Sequence, residues 1–307
     1  MARRLLVLVS VLVLGGAAPG PAARQAVEWK RAASLPVPRS EVAAAVLGRE
    51  LVVVGGFLAD GRSSPRVDAY SPARDHWRRL ADLPVAVNHA MAASDGRRLY
   101  VLGGYGARRR AFVLEGGRWR RLPDLPEPRA AAGAAIIGRT LYVVGGVAAD
   151  ALAEHALAFD RVRRRWSRIP GPKPREHLGV MALGAHVYAL AGREAGVNFD
   201  AFQAYLPARR RWVTLPRVPE TRGGTDAASV GRLIVSAGSE SAEGTSAAVY
   251  AYDTRTARWR RLPDLPTARH GLGVVGLKGR VYVVAGGPTP GLSVSGANEF
   301  LQLTQRR

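Results

Sequence analysis

Six tryptophans divide the 307-residue chain at nearly even intervals: Trp29, Trp77, Trp119, Trp166, Trp212 and Trp259, separated by 48, 42, 47, 46 and 47 positions. A period of this size marks a repeated supersecondary unit. Each tryptophan holds the same place in a recurring run. Most are followed by a Leu-Pro element (Leu35-Pro36, Leu83-Pro84, Leu125-Pro126, Leu265-Pro266), then by small apolar residues, then by an apolar strand ending in glycine, over 51–56, 99–104, 141–146, 187–192, 233–238 and 281–286. A third strand carries Tyr70, Phe159, Tyr205 or Tyr252 near its end, and the next tryptophan comes seven residues later in each case. Each unit therefore reads as four short strands joined by turn residues. One such sheet is apolar on both faces and cannot bury itself, whereas six set radially cover one another. The expected fold class is all-β, a six-bladed β-propeller.

The glycine pair, the tyrosine and the tryptophan, repeated in this order, resemble the kelch repeat over nearly all of residues 27–307. Ala191-Gly192 and Ala237-Gly238 depart from the glycine pair, and the second repeat is short and ends at 111–114 without a tyrosine. The first tryptophan strand precedes any glycine-ended one, while the last repeat runs through 298–303 and stops without a tryptophan. Residues 27–32 are thus expected to supply the outer strand of the last blade, closing the ring and removing an open sheet edge.

Composition fits this plan. Gly (35) and Pro (20) suit many tight turns, and the absence of cysteine excludes disulfides and thiolate chemistry. The net charge of +21 comes almost wholly from arginine. Its clusters, such as Arg163-Arg164-Arg165 and Arg209-Arg210-Arg211, flank the tryptophans. They are therefore spread around the rim, where charge protects edge strands. No nucleic-acid motif accompanies them, and nucleic acid is not an expected partner. Residues 1–26 read as a signal peptide: Arg3 and Arg4, an apolar stretch from 5 to 14, then small residues. The expectation is a monomeric protein, secreted or periplasmic, without a membrane span after cleavage; a retained anchor is the other reading.

Two loop families are expected to reach one face of the ring, by analogy with other propellers. The first carries Arg39, Arg129, Arg175, Arg222 and Arg269, with Val87 in blade two. The pairs that follow differ by blade: Ser40-Glu41, Asn88-His89, Ala130-Ala131, Glu176-His177, Gly223-Gly224 and His270-Gly271. The second family follows the glycine-ended strands and carries Phe57, Tyr105, Val147, Arg193-Glu194, Ser239-Glu240 and Gly287-Pro288. Polar residues crowd blades four to six, so the expected ligand site there comprises Arg175, Glu176, His177, Arg193, Asn198, Arg222, Glu240, Arg269, His270 and Glu299. The arginine ring has a second reading, as a structural device bonding carbonyls between blades. His89, His177 and His270 come from different blades without compact ligand spacing, so no metal or cofactor is expected.

Arginine with mixed hydroxyl partners suits a carbohydrate ligand or a protein segment. The exported six-bladed kelch plan is also similar to bacterial sialic-acid mutarotases, a resemblance that implies sugar anomer exchange. Glu176, His177 and Arg193 are the residues that would serve it here. Galactose oxidase likewise has a kelch propeller, but its tyrosine–cysteine crosslink cannot form in a chain without cysteine.

Overall fold

A computed structural model describes residues 28–303; the expected signal peptide lies outside the described residues. Six four-stranded antiparallel sheets stand around an axis. Blade one comprises Ala43–Leu47, Glu50–Val54, Val67–Ser71 and His76–Arg79, running from axis to rim. The innermost strands of the other blades are Met91–Ser94, Gly133–Ile137, Gly179–Leu183, Asp226–Val230 and Gly273–Leu277. They touch in order around the axis, and the last touches the first.

The ring closes as the sequence predicts. Trp29–Arg31 pairs antiparallel with Asn298–Gln302, with Trp29 opposite Leu301 and Arg31 opposite Glu299, and so forms the outer strand of blade six.

The tryptophan period has a direct structural cause. Tyr70, Phe159, Tyr205 and Tyr252 lie opposite Trp77, Trp166, Trp212 and Trp259 across the outer hairpin, which fixes the seven-residue interval. Each indole Nε1 then donates to a backbone carbonyl of the preceding blade. The acceptors are Ala33 for Trp77, Ala81 for Trp119, Pro123 for Trp166, Pro170 for Trp212 and Pro216 for Trp259, at 2.7–2.9 Å. Every acceptor stands four residues after the preceding tryptophan. Trp29 donates to Pro263 at 2.8 Å and makes the sixth joint.

The core is correspondingly six wedges, one between each pair of neighbouring blades. Second strands such as Leu51–Val54 are buried on both faces, hence their unbroken aliphatic sequence. The glycine pairs sit at the junctions. Gly56 (φ +98) donates its amide to the Val87 carbonyl of the next blade, and a Cβ there would come within 2.5 Å of the Ser40 carbonyl oxygen.

Candidate ligand site at the mouth of the axial channel

The innermost strands enclose a cavity of about 360 Å³ lined by small residues. One mouth is built by the loops that enter these strands. In each blade the residue two positions after the arginine column is left-handed: Glu41, His89, Ala131 and His177 have φ of 50–51°, while Gly224 and Gly271 have 65° and 57°. The backbones of this collar are linked around the axis. His89 N donates to Glu41 O, Ala131 N to His89 O, His177 N to Ala131 O and Gly271 N to Gly224 O, at 2.8–3.0 Å. Left-handed backbone costs a non-glycine residue about 1 kcal/mol or more. Blades five and six relieve it with glycine; blades one, two and four carry it with side chains that reach the axis.

Those side chains form one charged cluster. Glu41 Oε2 lies 3.2 Å from His89 Nε2 and 3.8 Å from His177 Nε2, and Glu41 Oε1 lies 3.3 Å from His270 Nδ1. His177 Nδ1 stands 3.2 Å from Glu176 Oε1. Arg193 bridges two carboxylates, Glu176 at 3.2 Å and Glu240 at 2.6 Å, and Asn198 Nδ2 donates to the Glu240 backbone carbonyl. The rings of Phe57 and Tyr105 meet His89 edge-on, at 5.6 and 5.3 Å between centroids.

The charge states follow from these neighbours. His270 Nε2 faces the carbonyls of Thr289 and Gly291 at 3.1 Å, while its Nδ1 faces Glu41 and Glu240. Every one of these neighbours is an acceptor, which favours the protonated ring. Burial opposes this charge, but Glu41 and Glu240 outweigh it and raise the pKa. Burial would also raise the Glu41 carboxyl, yet the surrounding histidines hold it well below the usual carboxylate range. Burial pushes His89 down to about 4 against the pull of Glu41. Glu176, despite burial, is lowered by His177 and Arg193. The mouth thus presents carboxylate acceptors beside a guanidinium and imidazole rings.

The geometry brings Glu176, His177, Arg193, Asn198, Glu240 and His270 together and corrects the rest of the expected site. Arg175, Arg222 and Arg269 are fully buried. Arg175 donates to the carbonyls of Ala191, Lys173 and Ala189 and to Gln203 Oε1; Arg222 donates to Ser236 and Ala248; Arg269 donates to Thr267 and Val283. Glu299 is buried with them, 2.6 Å from Arg269. The arginine column therefore stitches loops to strands. The site is also not confined to blades four to six, because loops converging on an axis bring Glu41 and His89 into the same cluster. Both stand in the same repeat column as His177, which is the signal that could have found them. His89, His177 and His270 do converge, although no local spacing announces it.

The KLHDC2/KLHL20/DRC7 Kelch-repeats domain matches residues 112–287, and the Kelch motif matches residues 38–84. The chain belongs to the kelch-repeat family. A curated relative, the Kelch-like protein terF of Aspergillus terreus, is 35% identical over 82 residues, which cover 25% of this chain and 18% of the relative. This kelch propeller thus spans under a fifth of the matched relative's length. Kelch propellers serve as protein- or ligand-binding modules, and no described helix here is long and apolar enough to cross a membrane.

Proposed function

We propose that this kelch propeller is an exported binding module that takes a carbohydrate at the mouth of its axial channel. The observation that carries the reading is the cluster of partly exposed carboxylates, Glu41 and Glu176 (side-chain exposure 12% and 19%), beside Arg193 and the edges of Phe57 and Tyr105. Ionised carboxylates accept strongly from sugar hydroxyls, and aromatic rings cover apolar sugar faces. Arg193 is already engaged by two carboxylates, so a neutral polyol fits better than an acidic sugar. A hydroxyl-rich protein segment shares part of this chemistry. The expected export is tested by mass spectrometry of the mature N-terminus, which should begin shortly after a residue between 17 and 26.

A second reading, sugar anomer exchange, draws support from Glu176 lying 3.2 Å from His177 with Glu41 on the other side of that ring. Such a set can take a proton from one sugar oxygen and return it to another. A glycan array followed by calorimetry separates the readings. Binding that falls about tenfold in both Glu41→Gln and Glu176→Gln, with no change in anomer exchange by proton NMR, supports the binding module. Accelerated exchange that Glu176→Gln abolishes selects the enzyme. Binding untouched by either substitution removes the mouth as the site.

A further inference from the structure

We infer that Glu41, His89 and His177 hold a divalent cation of the zinc class in the collar, with one coordination position left open. The inference stands on the cluster's own geometry and does not depend on whether the mouth takes a sugar.

The ligand atoms are one carboxylate oxygen and one nitrogen from each imidazole, all within 4.8 Å of one another, and Nε2 is the nitrogen that faces Glu41 in both rings. Zinc bonds of about 2.0–2.1 Å at tetrahedral angles put ligand atoms roughly 3.4 Å apart. The Glu41–His89 and Glu41–His177 separations, 3.2 and 3.8 Å, bracket that value. Two imidazoles and a carboxylate suit zinc better than calcium or magnesium, which prefer oxygen alone.

The second shell fixes which nitrogen is free. Asn88 Nδ2 donates to Ser63 Oγ, which turns Asn88 Oδ1 toward His89 Nδ1 at 2.5 Å. His89 Nδ1 must then carry the proton, and the lone pair of Nε2 points at a carboxylate oxygen. Two acceptors face each other at 3.2 Å, an arrangement that calls for a cation between them. His177 Nδ1 lies 3.2 Å from a Glu176 carboxylate oxygen, near but not aligned for the imidazole–carboxylate bond that ligating histidines make. Its side chain is only 8% exposed, yet neither ring nitrogen has an aligned hydrogen-bond partner. A buried imidazole left this way is costly unless something outside the protein completes it.

The neighbouring set of Glu41, Glu240 and His270 offers one imidazole where the first offers two, and His270 Nε2 is already taken by the carbonyls of Thr289 and Gly291, so it is the poorer match to zinc. The left-handed backbone shared by Glu41, His89, Ala131 and His177 sets the three ligating side chains on the axis from equivalent positions of different blades.

The purified protein, stripped with a chelator, is titrated with zinc(II) by calorimetry without any sugar, and with cobalt(II) in the visible spectrum. One equivalent bound, with the d–d bands of tetrahedral nitrogen and oxygen coordination, is expected. His89→Ala and His177→Ala should each weaken binding by at least about 100-fold, and Asn88→Ala by about tenfold through loss of the second-shell bond. Absence of one-to-one binding, or of the cobalt bands in the unsubstituted protein, overturns the site even if a variant fails to fold. Loss confined to His270→Gln, with His89→Ala unaffected, also overturns it. Sugar binding without metal binding would leave the ligand reading standing and this one refuted.

Discussion

Arg175 shows how far burial changes a residue's meaning. In sequence it stands beside Glu176 and His177 as part of a polar triplet, yet its guanidinium is inaccessible and bonded to three carbonyls and Gln203. Burial lowers its pKa to about 10, so it is still charged at neutral pH. Arg175→Met should lower the unfolding free energy by on the order of 3 kcal/mol, read by chemical denaturation, because it strands several buried acceptors at once. Ligand affinity of the folded fraction should not change. Asp226 offers a contrasting prediction inside the channel. It accepts from the amides of Val274 and Ala227, but burial outweighs these bonds and raises its carboxyl to about 7. A carboxyl raised in the folded state keeps its proton longer there than in the unfolded chain. Its contribution is therefore unchanged below about pH 4 and is lost as pH rises to about 7, at no more than about 1.4 kcal/mol per pH unit. Denaturant unfolding across that window should show the slope in the native chain and not in Asp226→Asn.

Among the elements, the three-residue strand Trp29–Arg31 carries the closure of the whole ring. Trp29→Ala removes both the indole bond to Pro263 and packing against the wedge between blades five and six, a loss of about 2 kcal/mol. Hydrogen exchange should then quicken in Asn298–Gln302 first and leave the strands of blade three unchanged. That this strand belongs to the last blade was legible from the tryptophan count alone, because the count depends only on the repeat. The elements of the site were less legible. Repeat columns located the collar loops, and Glu176, His177 and Arg193 were found in them. What linear reading lacks is the convergence of six loops on one axis, which brings Glu41 and His89 within 4 Å of residues far away in the chain. The fate of the arginine column was similarly hidden, since exposed and buried arginine look alike until the carbonyls around them are known.

Taken whole, the molecule separates two tasks by radius. The rim holds paired charges such as Arg79–Asp82, Arg121–Asp124 and Arg261–Asp264, which recur at one place in the repeat and are solvent-exposed, each contributing little to stability. The axis holds the singular residues, where symmetry is broken and chemistry concentrates. Joining them are six indole-to-carbonyl joints of one kind, including the one that the first described strand makes to blade five. A joint that is the same everywhere does not record where synthesis began. The register of Trp29 with Leu301 brings residue 28 close to residues 302 and 303, so a short linker can fuse residues 28 and 303 and new ends can be cut at the exposed turn over 162–164. Such a circular permutant should melt as one unit and bind as the parent does, measured by scanning calorimetry and ligand titration. For this architecture the starting point of the polypeptide is a historical accident, and the axial collar is indifferent to it.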